Sequence, residues 1–379
     1  MPNPKRVIFV IDNFVIGGVE KLLLGIISRL DKQKFAASII TVLGSGSLEA
    51  HFRELHIPIY FVGGKFPFNY KRLPYGIYWL VITPVILVKM IKLMWQFLLQ
   101  RPAVVVTSIY QPDILGILAG CLMGVPKRVL IHHDNCSLSP GKAWLKRNIG
   151  LRLATHIVAV SSTVKDFLVT YFDVPPDRIE VIYNGIPTEQ FISSDKSPDP
   201  SHLVLGMIGR LEPVKGPLVF VQALEILKAK FGLTPESYLG GDGSLKPNLL
   251  DYAAEADLSN LTLDGEIHDV PAWLKKIDIL INPSLTEGFS LVILEGLAAN
   301  KLVVVSDLPS TRESITDGLN GCLFPVGDAA ALANILQRLL TDPVRFNQIK
   351  QKLREWRQQK LTLCDIQCTV EAYEKLLSA

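Results

Sequence analysis

A chain of 379 residues is longer than one hydrophobic core ordinarily serves, and 49% hydrophobic against 20% charged residues excludes a disordered polymer. Five cysteines, an odd number with no Cys-x-x-Cys spacing, exclude a disulfide framework and a zinc-type Cys/His cluster. The net charge of +3 hides an asymmetry: residues 1–200 hold 22 Lys and Arg against 14 Asp and Glu, so the basic surface lies on the first half.

MPNPKRVIFVIDN enters a strand directly, with no signal-peptide apolar region, which together with the cysteine usage points to a cytoplasmic location. Strands are expected over 6–12, 37–43, 103–109, 128–133 and 156–161, and a second set over 203–209, 236–241, 261–265, 278–284 and 302–307. Their continuous, β-branched hydrophobicity fits parallel sheets covered on both faces. After the first strand, Gly17 and Gly18 precede an amphipathic helix, where bare backbone can approach an anion.

Between Glu54 and Asp113 no acidic residue occurs across 58 positions, yet Lys65, Lys71, Arg72, Lys89, Lys92 and Arg101 lie there. Within this stretch IYWLVITPVILVKMIKLMWQFLLQ (77–100) is heavily apolar and carries Trp79 and Trp95. Its uninterrupted core, 77–88, is too short to span a bilayer, and Pro84 and two lysines interrupt the longer run. The stretch therefore reads as a helix lying in the plane of an anionic membrane surface, against the alternative of a buried helix with basic ends.

His132 and His133 end RVLIHH. A Pro-, Ser- and Asp-rich segment, PTEQFISSDKSPDPSH (187–202), has the composition of a linker. The two sets of strands thus form two Rossmann-like α/β domains joined near residue 195.

In the second half, MIGRLEPVKGPLVFVQAL (207–224) places Arg210 and Lys215 between a strand and a helix, an arrangement suited to a diphosphate. GGDGS (240–244) repeats it after the next strand. Past DILINPS, Glu287 stands in a loop, and a helix is expected over 289–300. The N–H groups of Gly288, Phe289, Ser290 and Leu291 are then its unsatisfied first donors. Glu295, eight residues on, would sit about two turns behind Glu287 on a related face. Carboxylates at two depths suit a ligand with hydroxyls at two distances, such as a nucleotide sugar. RFNQIKQKLREWRQQ (345–359) and CTVEAYEKLLSA (368–379) read as terminal helices able to pack on either domain. Cys364 and Cys368 read as packed core thiols.

The motifs GGVE (17–20), VSS (160–162), VIYNGI (181–186), GRLEPVKG (209–216), GDGSL (241–245), Glu287-x7-Glu295 and DGLNG (317–321), in this order, resemble glycosyltransferase family 4, the retaining enzymes of the GT-B fold. The sequence departs from the family at Pro187, at LPSTRE (308–313) and at Ser290. The resemblance implies two Rossmann-like doubly wound domains facing across a cleft: an acceptor-side domain over 1–190, a linker over 191–202, a nucleotide-sugar domain over 203–355 and C-terminal helices over 356–379. By the same resemblance Arg210 and Lys215 hold the donor diphosphate, Glu287 binds the transferred sugar beside the 288–291 backbone, and Glu295 binds the ribose. Gly17 and Gly18 approach the diphosphate, and His133 contacts the donor sugar, with His132 structural.

The expected reaction is transfer from a nucleotide-diphosphate sugar to a glycan or lipid-linked acceptor in surface polysaccharide or glycolipid biosynthesis. The enzyme would work at the inner face of the cytoplasmic membrane, with no nucleic-acid partner. No Asp-x-Asp occurs, so no metal and no cofactor beyond the donor is expected. A glycoside hydrolase needs carboxylates that flank the scissile bond, which a loop acid and a helix acid on one side do not. The remaining alternatives are a sugar-nucleotide epimerase, a non-catalytic binding module and transfer to a soluble acceptor.

Overall fold

A computed structural model describes residues 3–15, 17–64, 75–191, 199 and 201–379. The chain divides into two compact units, Met1–Asn184 with Thr369–Ala379, and Gly185–Cys368.

The first unit holds a parallel sheet of seven strands: β1 (Lys5–Ile11), β2 (Phe35–Thr41), β3 (Ile59–Phe61), β4 (Val104–Ser108), β5 (Lys127–His132), β6 (His156–Ala159) and β7 (Ile179–Val181), in the order β3-β2-β1-β4-β5-β6-β7. Its helices are α1 (Gly18–Arg29), α2 (Glu49–Glu54), α3 (Tyr75–Gln100), α4 (Tyr110–Leu122), α5 (Pro140–Leu145) and α6 (Ser162–Phe172). The second unit holds six parallel strands: β8 (Leu205–Ile208), β9 (Ser237–Gly240), β10 (Leu261–Gly265), β11 (Ile279–Asn282), β12 (Leu302–Ser306) and β13 (Gly321–Phe324), in the order β10-β9-β8-β11-β12-β13. Around them run α7 (Pro217–Phe231), α8 (Lys246–Glu255), α9 (Val270–Leu274), α10 (Leu291–Ala298), α11 (Pro309–Arg312), α12 (Ala329–Thr341) and α13 (Pro343–Lys360).

Every residue of β4 and β12 is buried, as their unbroken apolar sequences require of central strands. The sequence reading missed β3, β7 and β13. All three are edge strands of three or four residues, too short to carry a pattern.

The C-terminal residues separate rather than acting as one appendage. Helix α13 stays with the second unit, and the last helix, α14 (Ile366–Ser378), returns to the first. Lys5 Nζ donates to Leu377 O (2.9 Å) and Ser378 O (2.8 Å), and Lys127 Nζ to Leu376 O, so two strand-start lysines cap the negative end of α14. Cys364, half-buried in a 3₁₀ turn, packs against the core of the second unit as expected, whereas Cys368 is exposed and is not a core thiol; Cys322 is buried. Of the expected linker, residues 192–198 and 200 lie outside the described residues, as do Lys65, Lys71 and Arg72.

Helix α3 runs through Pro84 without interruption. Its stretch Ile82–Gln100 is long and apolar enough to cross a membrane by length and composition, longer than the twelve-residue core read from the sequence. Leu93 and Phe97 nevertheless pack into the core with β1, β2 and β4 residues such as Val10, Ile40 and Val105, which fastens the helix along the sheet.

Candidate functional site

In the second sheet the chain order reverses between β8 and β11, and open α/β sheets bind ligands at such a switch point, beyond the C-terminal strand ends. Three loops leave that edge, 209–216, 241–245 and 283–290, and backbone bonds tie them together. Leu211 N–H donates to Asp242 O (2.9 Å), Leu245 N–H to Leu211 O (2.9 Å) and Leu285 N–H to Val214 O (2.9 Å). Ser244 donates its N–H and hydroxyl to the Glu212 carboxylate at 2.9 and 2.6 Å. Gly241 allows the close approach: at φ +140 its missing Cβ would stand 1.8 Å from Gly209 O.

Through the Val214–Leu285 contact, Lys215 meets Glu287. Its Nζ donates to both carboxylate oxygens, at 2.9 and 2.7 Å, and the two side chains are 24% and 9% exposed. A carboxylate so nearly withdrawn from water depends on this partner. Arg210, at the start of the same loop, is exposed; its carbonyl accepts from Glu212 N–H (2.8 Å), and its guanidinium makes no hydrogen bond or ion pair among the described residues. The site therefore presents one held and one unheld cation.

The helix after Glu287 starts later than its sequence suggests. Ser290 is the N-cap of α10 and Leu291 its first residue. Gly288 and Phe289 belong to the preceding loop, and both are engaged with other groups. Glu287 is consequently not on the helix, and its relation to Glu295 is not one of helical turns. Glu295 lies within α10, 7% exposed and engaged. Asn282 Nδ2 donates to Ser290 Oγ (3.2 Å), while Asn282 Oδ1 and Ser284 Oγ are buried without hydrogen-bond partners among the described residues. Sequence reasoning missed these two; their position at the end of β11 was the available signal.

In the first unit the order reverses between β1 and β4. Gly17 is the N-cap of α1 and Gly18 its first residue. The Glu20 carboxylate already stands at this helix start, with Oε2 2.4 Å from where a Gly17 Cβ would be. His132, ending β5, is buried with Nδ1 2.9 Å from Lys146 Nζ, and burial followed by that cation keeps it neutral. Lys146 also reaches Asp113 (3.0 Å), which is fully buried and accepts from Thr107 (2.9 Å); burial pushes Asp113 up to about 6.

His133 follows, with Nε2 3.3 Å from Ser108 Oγ. Burial, then Lys146, pushes its pKa down to about 3, so at neutral pH it is an uncharged hydrogen-bonding group. If it makes the sugar contact that the family resemblance implies, His133→Ala should lower turnover about tenfold, the value of one hydrogen bond. The pH–rate profile between 5.5 and 8.5 should keep its shape in His133→Gln. An inflection that this substitution abolishes would show that His133 titrates there.

A sequence model described as Glycosyltransferase Family 4 matches residues 16–190, and one described as Glycosyl transferases group 1 matches residues 202–342. The chain is 29% identical over 262 residues to an Escherichia coli UDP-Gal:alpha-D-GlcNAc-diphosphoundecaprenol alpha-1,3-galactosyltransferase, covering 64% of this chain and 67% of that protein. It is 32% identical over 208 residues to a D-inositol 3-phosphate glycosyltransferase of Stackebrandtia nassauensis, covering 50% of this chain and 47% of that one. Among solved structures, Anabaena HepE in complex with UDP-glucose superposes with a TM-score of 0.81 at 20% identity, covering 98% of this chain and 99% of that one. That likeness, with the two parallel-sheet units, identifies the fold as GT-B. The two matched segments together span both units, and the chain belongs to glycosyltransferase family 4.

Proposed function

We propose that the protein is a retaining glycosyltransferase that moves a sugar from a nucleotide-diphosphate donor to a lipid-linked acceptor in surface polysaccharide or glycolipid biosynthesis, without a metal or other cofactor. The observation that carries this reading is the Lys215–Glu287 pair, with Arg210 on the same loop as Lys215, at the switch point of the second sheet. Transfer breaks the bond from the anomeric carbon to the diphosphate oxygen, and charge builds on that oxygen. Arg210 and Lys215 stabilise it, while Glu287 accepts from hydroxyls of the departing sugar. Glu295 binds the ribose, His133 bonds the donor sugar, and the backbones of Gly17 and Gly18 and of 288–291 line the donor. The galactosyltransferase relative and the UDP-glucose complex of HepE favour a uridine donor. Incubation with UDP-, GDP- and ADP-sugars and a lipid-linked acceptor, with NMR of the product's anomeric configuration, tests it; an inverted product or an epimerised donor would replace it.

The lipid-linked acceptor rests on α3. Leu87, Val88, Ile91, Trp95, Leu98 and Leu99 are each about half exposed or more, although the opposite face is buried. Several of them, with Phe61, Lys92 and Met123, line a groove of about 630 Å³. A helix packed on the sheet through one face and apolar on the other suits a bilayer surface, and the absence of acidic residues from 55–112 suits anionic lipid. Sedimentation with vesicles of graded anionic content at low salt should show binding that Ile91→Glu/Trp95→Glu abolishes. Wild-type protein left in the supernatant would favour a soluble acceptor.

A further inference from the structure

We propose that Asp12 and Lys89 form a subsite at the C-terminal edge of the first sheet that takes hydroxyl groups of the acceptor sugar. The proposal rests on the glycosyl-transfer reading above and names the chemistry of its second substrate.

Asp12 follows β1, at the switch point between β1 and β4, where a ligand site is expected. Its Oδ1 is buried and has no hydrogen-bond partner among the described residues. Lys89 comes from α3 and is 5% exposed, yet its ammonium makes no hydrogen bond or ion pair among the described residues. Its stem lies against Gly63, just beyond β3: a Cβ there would stand 2.6 Å from Lys89 Cε, 3.2 Å from Nζ and 2.2 Å from Val42 O. The ammonium is thereby held at the ends of β2 and β3, along the same edge as Asp12.

The two groups feel each other's charge without meeting in an ion pair. Burial raises Asp12 to about 7, helped by Asp113 and Glu20 and opposed by Lys89, and burial lowers Lys89. An oxygen cut off from water, as Asp12 Oδ1 is, normally accepts a hydrogen bond, since the unmatched state is costly. A chain that leaves both an acceptor and a donor unmatched at a ligand-binding edge has kept them for a ligand. The ligand must donate to a carboxylate and accept from an ammonium, which a sugar hydroxyl does with one atom. A phosphate fits worse: it would approach three carboxylates, Asp12, Glu20 and Asp113, while the nearby cation Lys146 is already committed to Asp113 and His132.

The test uses the full chain and a panel of p-nitrophenyl α- and β-glycosides, with binding followed by NMR titration and Tm by thermal denaturation at pH 8. At least one glycoside should bind the wild type, and Lys89→Met and Asp12→Asn should each weaken it fivefold or more. Affinity for UDP-glucose should stay within twofold, because the charged donor groups, Arg210, Lys215, Glu287 and Glu295, all belong to the second unit. Asp12→Asn should raise Tm, since it removes a carboxylate that burial, Asp113 and Glu20 all disfavour. Failure of every glycoside to bind the wild type, unchanged affinity in both variants, or a lower Tm in Asp12→Asn would overturn the subsite. Failure of UDP-glucose to bind the wild type would defeat the glycosyl-transfer reading, while the glycoside titration and Tm would still decide the subsite.

Discussion

Lys215→Ala should lower turnover by two to three orders of magnitude, the loss typical of removing one donor that stabilises charge in the transition state. An ammonium has three N–H donors; two hold the Glu287 carboxylate, at 2.9 and 2.7 Å, and under the proposed function the third serves the donor diphosphate. The substitution therefore also strands a carboxylate that is only 9% exposed. Glu287→Ala should be comparably severe, and the double variant should cost far less than the product of the singles, because the two side chains act as one unit. Arg210→Ala should weaken turnover without disturbing Glu287, since the two cations differ in what they hold. Added magnesium should rescue none of these variants. Steady-state kinetics on the four-member Lys215/Glu287 cycle decides it: strictly multiplicative losses would mean that the pair seen here is not the working arrangement.

The elements that were legible in the sequence are those whose burial is written in composition. The runs VVVTS and LVVVS can only be central strands, and both are. The edge strands IYF, IEV and GCLF carry no such signal, because half of an edge strand's environment is water or a loop. The start of α10 was misplaced because its N-cap, Ser290, is fixed by Asn282 on a neighbouring strand, a tertiary contact invisible to local pattern.

The site was legible in its parts and not in its pairing. Arg210, Lys215 and Glu287 stand at strand ends, where a doubly wound sheet puts its ligand. Nothing local, however, says that Lys215 and Glu287, 72 residues apart, share two hydrogen bonds. Lys89 is the instructive miss. It looked like a marginal charge on an apolar helix, yet it precedes Leu93 and Phe97 at four-residue spacing, and both of those are buried. Helical periodicity alone would have turned it inward.

Gly216→Ala should destabilise the second unit by about 3–5 kcal/mol and abolish donor binding, whereas Gly232→Ala should cost only about 1–2 kcal/mol. The two glycines bracket α7 and share φ +65, so both pay the same left-handed penalty on gaining a Cβ. At Gly232 the new methyl meets nothing within 4 Å, and the helix end keeps its closing bonds, Gly232 N–H to Lys228 O and Leu233 N–H to Leu227 O, both 3.1 Å. At Gly216 it would stand 2.0 Å from Pro283 O, which is backbone and cannot swing aside. Relief requires the 209–216 and 283–290 loops to part, breaking the Leu285–Val214 bond and drawing Lys215 away from Glu287. Urea unfolding of the two variants, beside calorimetric titration with UDP-glucose, separates the collision from the backbone term. Equal destabilisation of both, with donor affinity intact in Gly216→Ala, would show that the loops yield and that Gly216 does not set the Lys215–Glu287 geometry.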